Sequence, residues 1–367
     1  MGYPHRVGVV GLGVISGQYF ATLAGRDDIV ITAVADLDTA RADDVAASLP
    51  AAVAMPVDEL IASSEVDTVL NLTIPAAHAE IAFSAIAAGK NVYGEKPLAA
   101  SFADAVSIVD AAAAAGVRIG CAPDTVLGTG TQTARAVIES GRIGRPLAAT
   151  AVMASPGHEW WHPNPDFYYR DGGGPLLDMG PYYVASLVHL LGPVVSVIGA
   201  SSRLRDTRTI ATGPRTGQTV SVDVETHVSG VLLHENGALS TVTTSFDSVA
   251  TGAPPIEVHG ELATLTVPDP NTFDGLVEVR EQGADSPVAV EPSAGVVDGG
   301  RGIGLVDLIY TPSGEQPRAS GRFALHSLEV MTALLESART GQRVAVATTT
   351  ARPRIVPLWP DPWRAES

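Results

Sequence analysis

Cysteine, lysine and long apolar runs are what this sequence has least of. One cysteine, Cys121, in 367 residues rules out an internal disulfide and a cysteine-built zinc site, and suits a reducing, cytoplasmic setting. No uninterrupted apolar run reaches the ~18 residues of a membrane span, and the stretch from Val7 is too short and glycine-broken for a signal core. A membrane is therefore not an expected partner. Positive charge is scarce: 23 Lys+Arg against 40 Asp+Glu leave a net −17, which would repel phosphate backbones, so nucleic acid is not expected either. Lysine is rarer still, because Lys90 and Lys96 are the only two. A chain that writes its surface cations as arginine keeps lysine where a titratable amine matters.

What is present is size and apolar content. Hydrophobic residues make up 46% of the chain, and its length suits two domains of ~100 to 200 residues. Over residues 1–122, short β-branched runs (6–10, 29–35, 67–73, 91–93, 117–121) alternate with alanine-rich helical stretches such as 76–88 and 102–115. Gly89 and Gly116 close those two helices, and Ser101 with Asp104 makes a capping box for the second. Strand and helix in alternation predict crossover units and a doubly wound parallel sheet. Beyond a helix at 131–140 and a strand at 147–153, residues 155–174 concentrate aromatics, prolines and histidines, a composition for a binding loop. After a helix at 176–191 the pattern becomes a run of strands: 194–200, 220–233, 238–246, 256–259, 263–267 and 276–281. Asn236-Gly237 is a hairpin signal among them, so the second domain, 123–350, is expected to be α+β with a large open, mainly antiparallel sheet. A helix at 323–341 is expected to pack back near the domain interface, and 351–367 to be an extended tail.

Residues 7–17 read VGVVGLGVISG, a buried strand followed by Gly11, Gly13 and Ser16 at dinucleotide-fingerprint spacing. Glycines there admit a pyrophosphate, whose charge the helix N-terminus stabilises. Asp36 ends the second run, near the ~20-residue distance at which a carboxylate binds the adenosine ribose. With Leu37 beside it offering no cation, NAD is expected over NADP. Farther on stand Glu95-Lys96-Pro97 and the glycine-rich run 172–183, GGGPLLDMGPYY.

These three motifs in this order resemble the glucose-fructose oxidoreductase / inositol dehydrogenase / rhizopine-catabolism (Gfo/Idh/MocA) family over nearly the whole chain. The resemblance implies an N-terminal Rossmann domain holding a nicotinamide dinucleotide, contacted by Gly11, Gly13, Val14, Ile15, Asp36, Thr73, Pro75, His78, Glu95 and Lys96. It also implies a C-terminal sheet that forms homodimers or homotetramers, and a Lys96-Pro97 bond in a tight cis turn. Lys96, Asp178 and Tyr182 would be the catalytic residues, with Tyr182 standing where inositol dehydrogenase-like members carry their acid/base histidine, as in the glucose-fructose oxidoreductase and dihydrodiol dehydrogenase branches. Ala185 replaces a further aspartate of those members.

From the residues themselves, Trp160 or Trp161 offers a flat face to a sugar ring, His162 or Arg170 binds its polar groups, and Arg170 suits an anionic substituent. Asp124 either faces the substrate or caps a helix, and His78 either lines the cofactor cleft or sits on a solvated helix face. Tyr183 and Cys121 read as core. His158 and His162 do not read as metal ligands, because prolines at 163 and 165 break the helix their spacing would need. The expected activity is hydride transfer between a secondary alcohol of a sugar, sugar derivative or polyol and NAD. Two alternatives stand beside it: an NAD-dependent glycosidase, which uses the same motifs through transient ring oxidation, and a dinucleotide sensor without turnover, which needs the glycine fingerprint but not Lys96 and Tyr182.

Overall fold

The computed structural model describes residues 4–359, 361 and 363, and the chain divides into two units. In the first, β1 (His5–Val10), β2 (Ile29–Ala35), β3 (Val53–Ala54), β4 (Thr68–Asn71), β5 (Asn91–Gly94) and β6 (Ile119–Cys121) pair in parallel in the order 3-2-1-4-5-6. The connections carry α1 (Ser16–Leu23), α2 (Thr39–Ser48), α3 (Val57–Ala62), α4 (Pro75–Ala87) and α5 (Phe102–Ala115). Val7, Val9, Val34, Val69 and Leu70 are wholly buried, as a parallel sheet covered on both faces requires. α5 shows how locally the boundaries are written. The Ser101 hydroxyl accepts from the Asp104 amide at 3.1 Å and donates to its carboxylate at 2.7 Å, and Gly116 leaves the helix at φ 68°. The strand order reverses between β1 and β4, which makes the carboxyl ends of those strands the place for a ligand.

The second unit contains α6 (Thr129–Glu139), β7 (Pro146–Ala154), α7 (Gly174–Asp178), α8 (Gly180–Leu191), β8 (Val194–Ser202), β9 (Thr207–Thr209), β10 (Thr219–Ser221), β11 (His227–His234), β12 (Leu239–Ser245), β13 (Ile256–Gly260), β14 (Ala263–Val267), β15 (Val277–Glu281) and β16 (Val288–Val290). Later in the chain come α9 (Ile303–Tyr310), α10 (Gly321–Thr340) and β17 (Val344–Ala345). Nine strands pair in the order 16-15-14-13-7-12-11-8-17, all antiparallel except β7 with β12. α8 is buried along its whole length and packs on β7 and β12. The strands alternate accordingly: in β14, Ala263, Leu265 and Val267 are buried while Thr264 and Thr266 are half-buried.

Several boundaries differ from the expected ones. The helix expected at 176–191 starts earlier and breaks at Met179 into α7 and α8. The run 220–233 divides into β10, which pairs with β9 in a separate hairpin, and β11 in the large sheet. Residues 298–325, including α9, cluster with the first unit instead of the second, and the division falls within α10. α9 had no local signal beyond its apolar content. Of the expected tail, residues 351–359 are extended and docked: Val356 is buried and its amide donates to Gln132 Oε1 at 2.8 Å within the second unit; most of the remainder lies outside the described residues.

Candidate functional site

In the first unit, the turn after β1 needs glycine at its first position. Gly11 has φ 91°, and a Cβ there would lie 2.7 Å from the backbone of Leu72. Gly13 faces open space. Ser16, buried as the first residue of α1, donates its hydroxyl to the Gly13 carbonyl at 2.8 Å, so the third fingerprint position is filled by a residue that closes the turn. At the end of β2, Asp36 Oδ2 accepts the Leu12 amide at 2.7 Å and Oδ1 accepts the Asp38 amide at 2.9 Å. The Arg41 guanidinium stands 3.5 Å from Oδ1 and 3.1 Å from Asp38. A cation is therefore present beside Asp36, supplied one helical turn beyond Leu37. Val14, Leu37 and Ile74 are large apolar residues left 99%, 100% and 70% exposed at these strand ends. Open space at Gly13, a fixed carboxylate and apolar lips together fit a dinucleotide: the 11–15 turn for its pyrophosphate, Asp36 for its adenosine ribose.

Thr73 and Pro75 open α4, with the Thr73 hydroxyl on Asn71 Oδ1 at 2.7 Å. His78 is neither solvated nor turned outward. It is buried, its Nδ1 is 2.6 Å from the Pro97 carbonyl and its Nε2 3.0 Å from the Thr73 carbonyl. It thus braces the turn after β4 against the Glu-Lys-Pro turn after β5. In that turn the Lys96-Pro97 bond is cis. Glu95 accepts the Tyr19 hydroxyl at 2.8 Å and the Lys96 amide at 3.1 Å. Burial and this neighbouring carboxylate push the Tyr19 phenol well above its ordinary pKa. Asp124 corrects the substrate-facing expectation. It is fully buried within the first unit, and its Oδ2 accepts the amides of Gly302 and Gly304 at 2.7 and 3.1 Å, capping α9. Burial raises its carboxyl pKa, a cost that suits an internal brace and not an exposed ligand.

In the second unit, Asp178 ends α7 and Tyr182 lies in the first turn of α8, its amide on the Met179 carbonyl at 3.1 Å. Tyr183 is core: burial and a hydrogen bond to Asp269 push its phenol upward. Ala185 is buried. The loop 155–174 forms two short turns, His158–Trp160 and Asp166–Tyr169. Trp160, Trp161 and Phe167 stay exposed, with His162 edge-on to Phe167 and Tyr168 at 5.5 Å from each ring. Arg170 is exposed at the end of the second turn.

A buried ionic cluster holds this loop. Arg208 donates to Glu159 at 2.9 Å, to Asp247 at 2.5 Å and to the Pro156 and Phe246 carbonyls. Glu159 in turn accepts the Tyr169 hydroxyl. His158, set aside as a metal ligand, meets Asp178: its Nε2 lies 2.8 Å from Oδ2. Neither Arg208 nor the His158–Asp178 pair carries a local sequence signal, since each joins residues distant along the chain.

A fingerprint turn and ribose-type carboxylate on a doubly wound sheet, followed by a Glu-Lys-Pro turn and a second sheet-bearing unit, define a Rossmann-type oxidoreductase. Comparison agrees. Residues 5–122 match the model described as "Oxidoreductase family, NAD-binding Rossmann fold", and residues 131–266 that of the "GFO/IDH/MocA C-terminal domain". The chain belongs to the GFO/IDH/MocA oxidoreductase family. It is 30% identical to a 1,5-anhydro-D-fructose reductase of Ensifer adhaerens over 80% of this chain and 83% of that protein. It is 35% identical to "Inositol 2-dehydrogenase 3" of Saccharopolyspora erythraea, a match spanning 41% of this chain and less than half, 45%, of that protein. In fold it resembles an NAD-binding oxidoreductase from Klebsiella pneumoniae (TM-score 0.79, 23% identity, 94% of this chain and 100% of that one). Among the described residues no helix is long and apolar enough to cross a membrane.

Proposed function

We propose that this protein oxidises a secondary hydroxyl of a sugar, sugar derivative or polyol, or reduces the corresponding ketone, with NAD as preferred cofactor. The observation that carries this reading is Asp36, fixed by the fingerprint turn at the end of β2 in the sheet whose β5 delivers Glu95-Lys96-Pro97. The curated relatives support the substrate class, since their names are those of inositol and anhydrosugar dehydrogenases and reductases. When bound, the nicotinamide supplies the hydride acceptor or donor.

In this reading the chain's own residues do the proton work and the orientation. Lys96 and Tyr182 are the groups able to take the hydroxyl proton, a titratable amine and a phenol. The Tyr-for-His substitution at position 182 is thus a change of proton carrier within the same chemistry. Asp178 accepts a substrate hydroxyl, Trp161 gives an apolar face to the ring, and His162 and Arg170 contact its outer oxygens. Thr73, Pro75 and the turn braced by His78 complete the cofactor side with Val14 and Ile15. A cytoplasmic homo-oligomer is part of the same proposal: the half-buried outer face of strands such as β14 supports the oligomer, and the single cysteine a reducing compartment.

The hydrolytic and sensor alternatives gain no support from the relatives' names. The test is a panel of free hexoses, inositols and anhydrosugars with NAD or NADP, following absorbance of the reduced cofactor. Turnover with at least one neutral polyol, suppressed in Tyr182→Phe, is expected. A panel without turnover, or an unchanged Tyr182→Phe rate, would contradict the reading.

A further inference from the structure

His158 is the motif residue that the function above leaves unused, and its surroundings are closely specified. Its Nε2 lies 2.8 Å from the Asp178 carboxylate, and its Nδ1 receives the Trp161 indole N–H at 3.3 Å. An indole nitrogen donates and never accepts. Nδ1 is therefore the unprotonated nitrogen, and the ring proton sits on Nε2, facing Asp178. The imidazole is held between the rings of Tyr168, Phe246 and Trp161, at 4.1, 4.4 and 5.1 Å between centroids.

Its backbone is fixed as firmly. The His158 amide donates to the Tyr169 hydroxyl at 3.1 Å, Tyr169 is bonded to Glu159, and Glu159 is paired with Arg208, whose side chain is 1% exposed. Gly157, at φ 108°, admits no side chain: a Cβ would come within 2.3 Å of Glu159 and 2.6 Å of the Tyr169 hydroxyl. Buried charge of this kind is costly unless paired, and here the Arg208–Glu159 pair and the Tyr169 hydroxyl fix the backbone that carries the His158 imidazole.

We propose that His158 is a positioning residue that orients Asp178 as an acceptor for a substrate hydroxyl and anchors the exposed Trp161 ring, coupling the two through one imidazole. The proposal rests on the reading of Asp178 and Trp161 as substrate contacts. With both ring nitrogens engaged, His158 acts through those neighbours and not on the substrate. An N–H to a carboxylate is a charge-assisted bond, strong enough to fix which way the carboxylate faces. The imidazole comes from the 155–174 loop and the carboxylate from the end of α7.

Two readouts test it. In the full-length protein labelled with ¹⁵N-histidine, long-range proton–nitrogen spectra report the tautomer, with His158→Phe identifying the resonance. A neutral ring protonated on Nε2 is expected, and a proton on Nδ1 would overturn the proposal. This readout needs no substrate, so it decides the pairing even if the wild-type protein oxidises no sugar of the panel, an outcome that would count against the functional reading instead. With a panel sugar that is oxidised, His158→Phe should lower kcat at least ~10-fold with NAD affinity unchanged. His158→Gln, whose amide can still donate to Asp178 and accept from Trp161, should recover most of the loss. Equal losses in Phe and Gln variants, or no loss in either, would overturn the proposal.

Discussion

The two lysines have different fates. Lys90 Nζ donates to the carbonyls of Ser63 and Val66, both at 2.7 Å, and so braces the end of α3. Lys96 follows Glu95 in the turn after β5 and is half-buried. Lysine scarcity therefore marked one structural and one candidate catalytic amine, and only the Glu-Lys-Pro context told them apart. Lys96→Arg keeps the charge but offers a guanidinium that does not deprotonate. Turnover should fall at least ~100-fold while NAD binding, measured by calorimetry, persists; near-normal turnover would remove Lys96 from the chemistry. Asp36 was equally legible, yet Arg41 was not, because its approach depends on α2 starting where it does. The Asp36 carboxylate should repel a 2′-phosphate, and Arg41 at 3.5 Å partly offsets that repulsion. Calorimetry should give tighter NAD than NADP binding, and Arg41→Ala should widen the gap. Equal or tighter NADP binding by the wild-type protein would contradict this.

Elements with a local period were readable and those held by distant partners were not. β2 and α5 match their expected spans because β-branched runs and a capped alanine-rich stretch encode them residue by residue. The break at Met179, the β9–β10 hairpin and α9 depend on packing or on capping from afar, as with Asp124 and α9. His158 shows the same limit at the candidate site: its spacing from His162 invited a metal reading, and its actual partner lies 20 residues on. The fingerprint turn is the element where local rule and proposed function coincide. Gly11→Ala would place a Cβ 2.7 Å from backbone atoms at φ 91°. The left-handed conformation alone costs roughly 1 to 2 kcal/mol for a residue with a Cβ. We expect a lowered urea midpoint together with lost NAD affinity; a variant that keeps both would show that the turn tolerates a side chain.

At the scale of the whole molecule, buried histidines set the acid limit. His234 is held neutral, its pKa lowered to about 4 by burial, and His5 and His326 are lowered for the same first reason. The unfolded chain binds protons on these rings below its ordinary histidine pKa of ~6.5, whereas folded His234 does so only near 4. The contribution of these rings is therefore complete above about pH 6.5 and is lost as pH falls toward 4, with His234 contributing on the order of 3 kcal/mol across that window. Asp124 works in the opposite sense. Its raised folded pKa favours the folded state at low pH and loses that contribution as pH rises through it. Urea midpoints from pH 7.5 to 4.5 should fall, and His234→Asn should flatten the slope by up to one proton; a flat wild-type profile would contradict the assignment.

The central claim, net transfer of hydride from a sugar or polyol hydroxyl, is tested most directly by counting. With limiting NAD, a dehydrogenase forms one NADH per oxidised sugar and then stops, whereas hydrolysis through transient oxidation returns the hydride and recycles the cofactor. The measurement follows NADH absorbance and aglycone release together, across free sugars and their aryl glycosides. Stoichiometric NADH from a free sugar or polyol is the predicted result, and many aglycones released per NAD without net NADH would contradict it.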